Sequence, residues 1–125
     1  MPNYTSNTFA LSGALPDIEA LLASVAGHDD DGVPLALDFQ KIVPQPADLP
    51  DHAIYSWQVE HWGCRSGACD VYVSPPVLAG SQYVSMVSFE TPWSPAEPIF
   101  RALQEQHRNV HIVGFYDTGE TSGQM

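Results

Sequence analysis

Along the chain the apolar positions change period, and the changes mark out strands and helices in turn. From Asn3 to Ser12, Phe9 and Leu11 alternate with Thr8 and Ala10, the two-residue period of a strand with one covered face. The period then lengthens. Ile18, Leu21, Leu22 and Val25 fall at i, i+3, i+4 and i+7, one apolar stripe on a helix that Pro16-Asp17-Ile18-Glu19 opens and Gly27 stops. Leu35-Ala36-Leu37-Asp38-Phe39 reads as a short strand, leaving through Lys41-Ile42-Val43-Pro44-Gln45-Pro46, where proline bars further central pairing. After a proline-bounded linker from Asp48 to Asp51, Ala53 to Trp62 carries Ile54, Trp57 and His61 at helical spacing, with Glu60 on a neighbouring face, and ends at Gly63.

Cys69 to Val73 and Gln82 to Phe89 are the next strands, separated by the turn residues Ser74-Pro75-Pro76 and Gly80. In the second, Tyr83, Val84, Met86, Val87 and Phe89 supply bulk for a sheet buried on one face and partly covered on the other. Ser94 and Glu97 have the spacing of a capping box, with Pro95 at the first helical position, so a helix is predicted to about His107 that buries Ile99, Phe100 and Leu103. Val110 to Tyr116 is the last predicted strand, followed by a polar tail from Asp117 to Met125 that is expected to fray. The order is strand, helix, strand, helix, strand, strand, helix, strand. It predicts an α+β, ferredoxin-like split βαβ sheet with two main helices on one face, plus an extra strand and a short inserted helix. At 125 residues, residues 1–125 are expected to form one domain.

Charge narrows the function classes. Fifteen Asp and Glu against four Lys and Arg give a formal charge of −11. A phosphate backbone attracts positive surface, so direct nucleic-acid binding is disfavoured, whereas a basic protein surface becomes a natural partner. The competing explanation is that acidity simply keeps a small protein soluble. No run approaches a membrane span, and Met1-Pro2-Asn3-Tyr4-Thr5 has neither the basic nor the apolar part of a secretory signal, so a cytoplasmic location in a bacterial cell is expected. Cys64 and Cys69 are too few for a disulfide scaffold and are expected to be thiols there.

Reactive residue types crowd only around Glu60-His61-Trp62-Gly63-Cys64-Arg65 and Cys69-Asp70. His61, Cys64 and Cys69 supply three zinc-ligand types at spacings unlike a common finger, with Asp70 or His52 as a fourth. A Cys64–His61 nucleophilic pair with Arg65 lowering the thiol pKa is the other reading, but no oxyanion hole is visible, and small thiols packed beneath Trp62 fit the residues better. Asp29, Asp30 and Asp31 lack EF-hand spacing, with Gln40 where the bidentate Glu would stand, and read as a solvated turn. No His-x-His, His-Glu-x-x-His or phosphate-loop pattern occurs. His111 reads as a strand residue, and His107, when charged, complements a helix C-terminus. Tyr72, Tyr83, Phe89 and Tyr116 could stack bases on a sheet, yet the strands are almost free of basic residues, so core packing is the expected use of these rings. Trp57, Trp62 and Trp93 are read as structural, with Trp93 packing on Trp62 to plug the proline turn. No catalytic residue, metal site or cofactor is assigned.

Met1-Pro2-Asn3, Ser6-Asn7, Lys41 to Pro46, Glu60-x-Trp62-Gly63 and Phe89-x-Thr91-x-Trp93-Ser94-Pro95 occur in an order that resembles the YubB-type (Api-like) ferredoxin-like family of phage, plasmid and bacterial-island proteins. Tyr4-Thr5 and Cys64-Arg65-Ser66 depart from its usual Trp-Cys and Thr-Lys-Trp runs. The resemblance implies a mobile-element accessory protein and transfers no catalytic residue. With the charge, it predicts a non-catalytic, anti-CRISPR-like inhibitor whose carboxylates imitate phosphates on a basic host protein or nucleoprotein complex. The candidate partner-binding residues are Asp29, Asp30, Asp31, Asp48, Asp51, Glu60, Glu90, Glu97, Glu105 and Asp117. The rivals are a thiol- or zinc-dependent enzyme using His61, Cys64 and Cys69, and an accessory scaffold whose acidity is incidental.

Overall fold

A computed structural model describes residues 3–125, so Met1 and Pro2 of the first motif lie outside the described residues. In chain order the elements are β1 (Tyr4–Gly13), α1 (Leu15–Val25), β2 (Gly27–His28), β3 (Pro34–Leu35), α2 (Asp51–Trp62), β4 (Cys69–Val73), β5 (Val77–Ala79), β6 (Gln82–Pro92), α3 (Glu97–Gln106), β7 (His111–Asp117) and β8 (Ser122–Gln124). A 3-10 turn at Phe39–Lys41 precedes α2. The architecture is α+β. Six strands form one sheet in the order β4-β6-β1-β7-β8, with β5 paired to β6, and every pairing is antiparallel.

Alternation along the long strands decides which face is covered. In β1, Thr5, Asn7, Phe9, Leu11 and Gly13 are buried, and in β6 the buried set is Ser85, Val87, Phe89 and Thr91. Their partners across the ladder fall on the same face, as in Phe9 opposite Val87 and Asn7 opposite Phe89. Against this face α1 sets Ile18, Leu21 and Val25, and α3 sets Ile99, Phe100 and Leu103, the stripes their spacing predicts. Phe9 sits between Phe89, at 5.1 Å centroid to centroid, and Phe100 at 5.6 Å. Gly114 of β7 makes room for Phe100, because a Cβ there would stand 2.8 Å from the ring.

Several sequence expectations change. The predicted strand at Leu35–Phe39 shrinks to Pro34–Leu35, paired only with Gly27–His28. Beyond it, Asp38 Oδ1 accepts from the Gln40 amide at 3.0 Å and starts the 3-10 turn, which turns Phe39 into the core. Gly27 is not the helix stop, since α1 ends at Val25 with Ala26 already extended. The inserted helix is not short: α2 has 12 residues against 11 in α1 and 10 in α3. Val77–Ala79 forms a hairpin strand with β6, and Ser122–Gln124 in the polar tail pairs with β7.

The joint between β6 and α3 differs most. α3 starts at Glu97 with no side-chain cap from its own segment, so Ser94 and Glu97 do not form a capping box and Pro95 lies outside the helix. The amide of Ala96 is instead held by Asn7 Oδ1 at 3.0 Å, a side chain arriving from β1. The Asn7 amide group donates to the Thr5 carbonyl at 3.1 Å and to Thr91 Oγ1 at 2.9 Å, so this buried residue is fully used. Ser94 Oγ turns away to donate to the Gly63 carbonyl. Trp93 does not plug the turn. Its φ of 67° turns the ring outward, 53% exposed, while its carbonyl accepts from Thr5 Oγ1 at 2.8 Å.

Trp62 fills the joint from the other side. It is buried edge-on against Phe39 and Trp57, and its Nε1 donates to the Val43 carbonyl at 2.9 Å. Gly63 closes α2 with φ 86°, a left-handed cap that its contact with the Pro95–Pro98 segment also requires. The Lys41-to-Pro46, Glu60-to-Gly63 and Phe89-to-Pro98 segments therefore meet in one place.

Candidate functional site

The ligand set of the rival zinc reading, His61 with Cys64 and Cys69, does not come together as one cluster among the described residues. Among the described residues, the group of three ligand-type side chains close enough to share an ion is Cys69, Asp70 and Glu90, with donor atoms within 4.8 Å of one another. His61 lies apart from it, its ring stacked on Trp57 at 4.4 Å and its Nδ1 2.9 Å from the Trp57 carbonyl. Cys64 is buried in the core beside the joint. Burial pushes its thiol up to about 12, only partly offset by hydrogen bonding to the Gly67 backbone and to Thr91. A thiol in that state is a poor nucleophile near neutral pH. Cys69 is half-buried, and its thiol is pushed up by burial and then by the negative charges of Asp70 and Glu90. It donates to the Glu90 carbonyl at 3.3 Å.

The candidate carboxylates are spread over several surfaces. Asp29, Asp30 and Asp31 occupy the β2–β3 loop, where Asp29 Oδ1 accepts from the amides of Asp31 and Val33 at 2.9 and 2.8 Å. That is the turn chemistry the sequence suggests. Asp48 precedes α2, Asp51 begins it and Glu60 lies near its end. Glu97 and Glu105 lie towards opposite ends of α3, and Glu97 pairs with Arg101 at 2.8 Å on the exposed helix surface.

The sheet does bring two of them together. Glu90 of β6 and Asp117 of β7 both pair with Ser6 of β1, one from each side, so they stand two strand spacings apart, about 10 Å. Asp70, at φ 52° beside the irregularity where β4 slips against β6, extends this acidic row beyond Glu90.

Next to that row on the same face lies a surface of exposed rings where core packing is expected from the sequence. The face of the sheet opposite the core carries Tyr72, Met86 and Phe115, which are 63%, 47% and 45% exposed. Tyr72 is thus not a core ring, while Phe89 is buried, Tyr83 packs half-buried against the core and Tyr116 is half-buried. The signal was present in the chain: Tyr72 alternates with Val71 and Val73, and Phe115 is in phase with His111 and Asp117, not with buried Ile112. None of β1, β4, β5, β6, β7 or β8 contains Lys or Arg.

The few cations lie elsewhere. Arg101 and Arg108 line an open hollow of about 670 Å³ with His111, where the end of α3 meets the start of β7. Arg65 lies over the Tyr55 ring at 5.5 Å. His107, at the end of α3 where a charged ring would complement the helix terminus, has its pKa lowered by burial and sits with Nε2 3.2 Å from Ser24 Oγ.

The arrangement offers binding chemistry: exposed Tyr72, Met86 and Phe115 on one face of the sheet, with a row of carboxylates towards one end of it. Compared with known proteins, the chain matches no family model, no curated protein and no solved structure.

Proposed function

We propose that this chain is a non-catalytic acidic binding protein that occupies a basic, nucleic-acid-binding surface of a host protein complex, in the manner of an anti-CRISPR-like inhibitor carried by a mobile element. The observation that carries the reading is the unneutralised charge. Fifteen acids face four Lys and Arg, and among the described residues a single acid–base pair, Glu97 with Arg101, is closed. A surface of this kind steers towards positive potential and away from nucleic acid and anionic lipid. It supports a cytoplasmic protein that meets lysine- and arginine-rich grooves. The spatial order β4-β6-β1-β7, all antiparallel, supports the ferredoxin-like split βαβ reading.

The experiment is a pull-down of purified bacterial nucleoprotein complexes on the immobilised protein across a salt series. Capture should fall steeply with ionic strength and be competed by DNA or RNA. Charge reversal at Glu90 and Asp117 should weaken it, and at Asp29, Asp30 and Asp31 too if that loop takes part. Capture that is unchanged in high salt and indifferent to added nucleic acid refutes phosphate mimicry.

A further inference from the structure

Beyond a general acidic surface, the open face of the sheet has a shape and a polarity that select a partner. Tyr72 pairs with Ser88, Ser88 with Thr8, and Thr8 with Phe115, so the backbone positions that carry the two exposed rings are three strand spacings, about 14 Å, apart. Between them the side chains are small: Ser88 and Thr8 in that row, and Ala10 in the next. Met86 and Val113 flank Ala10. By side-chain size the strip between the two exposed aromatic residues is a shallow trough, and an α-helix with its side chains is about 10–12 Å across.

We propose that this trough is the docking site for an amphipathic basic helix of the partner protein, its apolar side chains on Tyr72, Met86 and Phe115 and its Lys or Arg side chains reaching Asp70, Glu90 and Asp117. The proposal rests on the reading that the partner is a basic protein and adds where and how it binds. Charge complementarity selects this occupant. A second copy would bring another chain of charge −11 and set its acidic row near this one. A nucleic acid would gain stacking on two rings but meet carboxylates and a sheet without Lys or Arg. A cationic helix satisfies both parts of the surface. Aromatic and methionine side chains are also the types enriched where binding energy concentrates.

The test uses two synthetic peptides of equal charge, one a leucine- and lysine-patterned amphipathic helix and the other with serine replacing leucine, titrated into the whole protein. Amide NMR shifts of the wild type should move along β1, β4, β6 and β7 at open-face positions with the leucine peptide. Tyr72→Ser with Phe115→Ser, both exposed positions, should weaken the leucine peptide at least about tenfold and leave the serine peptide unchanged. Far-UV circular dichroism checks that this variant folds, and the wild-type shifts decide the matter independently of it.

If both peptides bind equally and shift the Asp29–Asp31 loop instead, the trough is wrong while the basic-partner reading stands. If neither peptide binds, both fall. Sedimentation showing a dimer that the double variant dissociates assigns the face to a second copy and overturns the proposal. Binding of oligouridylate lost in the same variant does so in favour of nucleic acid.

Discussion

Replacing Asn7 by alanine should be among the most damaging single changes in this chain, although nothing about a polar residue near the start of a strand announces it. Asn7 is 1% exposed and makes three hydrogen bonds, to the Thr5 carbonyl, Thr91 Oγ1 and the Ala96 amide. Each such bond contributes about 1 kcal/mol net, and leaving the buried Ala96 N–H without an acceptor costs about 1–3 kcal/mol more. The loss should therefore be about 4–6 kcal/mol, a fall in midpoint temperature of roughly 15–30 °C for a domain of this size. Urea unfolding followed by tryptophan fluorescence measures it, with Glu97→Gln as the comparison. Glu97 contributes an exposed i, i+4 pair and no cap, so its replacement should change stability by less than about 0.5 kcal/mol. A conventional capping box would rank the two variants the other way round. If Asn7→Ala loses under about 1 kcal/mol, or Glu97→Gln loses as much, the strand-to-helix cap is not what holds this joint.

Gly63→Ala should destabilise by more than about 2 kcal/mol, since φ is 86° and the new Cβ would press on the Pro95 carbonyl and on Pro98 at 2.8 Å; the same urea experiment reports it. Trp62→Ala should cost about 3–5 kcal/mol while Trp93→Ala stays within about 0.5 kcal/mol, because only the first ring is buried. In native protein at pH 8, iodoacetamide should label Cys69 slowly and Cys64 only after unfolding, as resolved by peptide mass spectrometry. Cys64 also sets an alkaline slope. Below pH 9 the thiol is protonated in both states and its contribution is fully present. Above it the unfolded thiol ionises while the folded one holds its proton towards about 12, so stability falls by up to about 1.4 kcal/mol per pH unit. Cys64→Ala should remove that part of the slope, and a slope that persists unchanged places its origin elsewhere.

What was legible in the sequence follows from how local each signal is. The stripe of α1 and the alternation of Phe9 and Leu11 are period signals over a few residues, and both elements and their buried faces appear where those signals put them. The end of α2 was legible for the same reason, since a left-handed cap needs glycine. The β6–α3 joint was not. Ser94 and Glu97 satisfy a capping rule written for a chain segment alone, but Asn7 already fills the position of the missing acceptor from 89 residues away in sequence. A tertiary partner of that kind leaves no mark on the segment it caps. Phe39 failed for a related reason: its bulk suits a strand, yet Asp38 competes for the local amides and bends the chain into a 3-10 turn. For the candidate site, the ten carboxylates were legible as a composition, whereas the placement of Glu90 and Asp117 either side of Ser6 depends on a register that only the folded sheet defines.

That register also separates what charge does from what shape does. Acids such as those of the Asp29–Asp31 loop and α3 lie outside the sheet, where they raise the long-range field and hence the rate of encounter with a basic partner, an effect that salt screens within about 10 Å. Asp70, Glu90 and Asp117 lie within the edge-to-edge span of an apolar surface that excludes water once covered, so their contacts should be screened less. The two groups should therefore separate kinetically. Neutralising the Asp29–Asp31 loop should slow association at low salt and leave dissociation almost unchanged, while neutralising Glu90 and Asp117 should speed dissociation at any salt. Stopped-flow or surface-plasmon measurements with the leucine–lysine peptide read both rates, and equal effects of the two sets on both rates would mean that the sheet face acts as diffuse charge and not as a docking site.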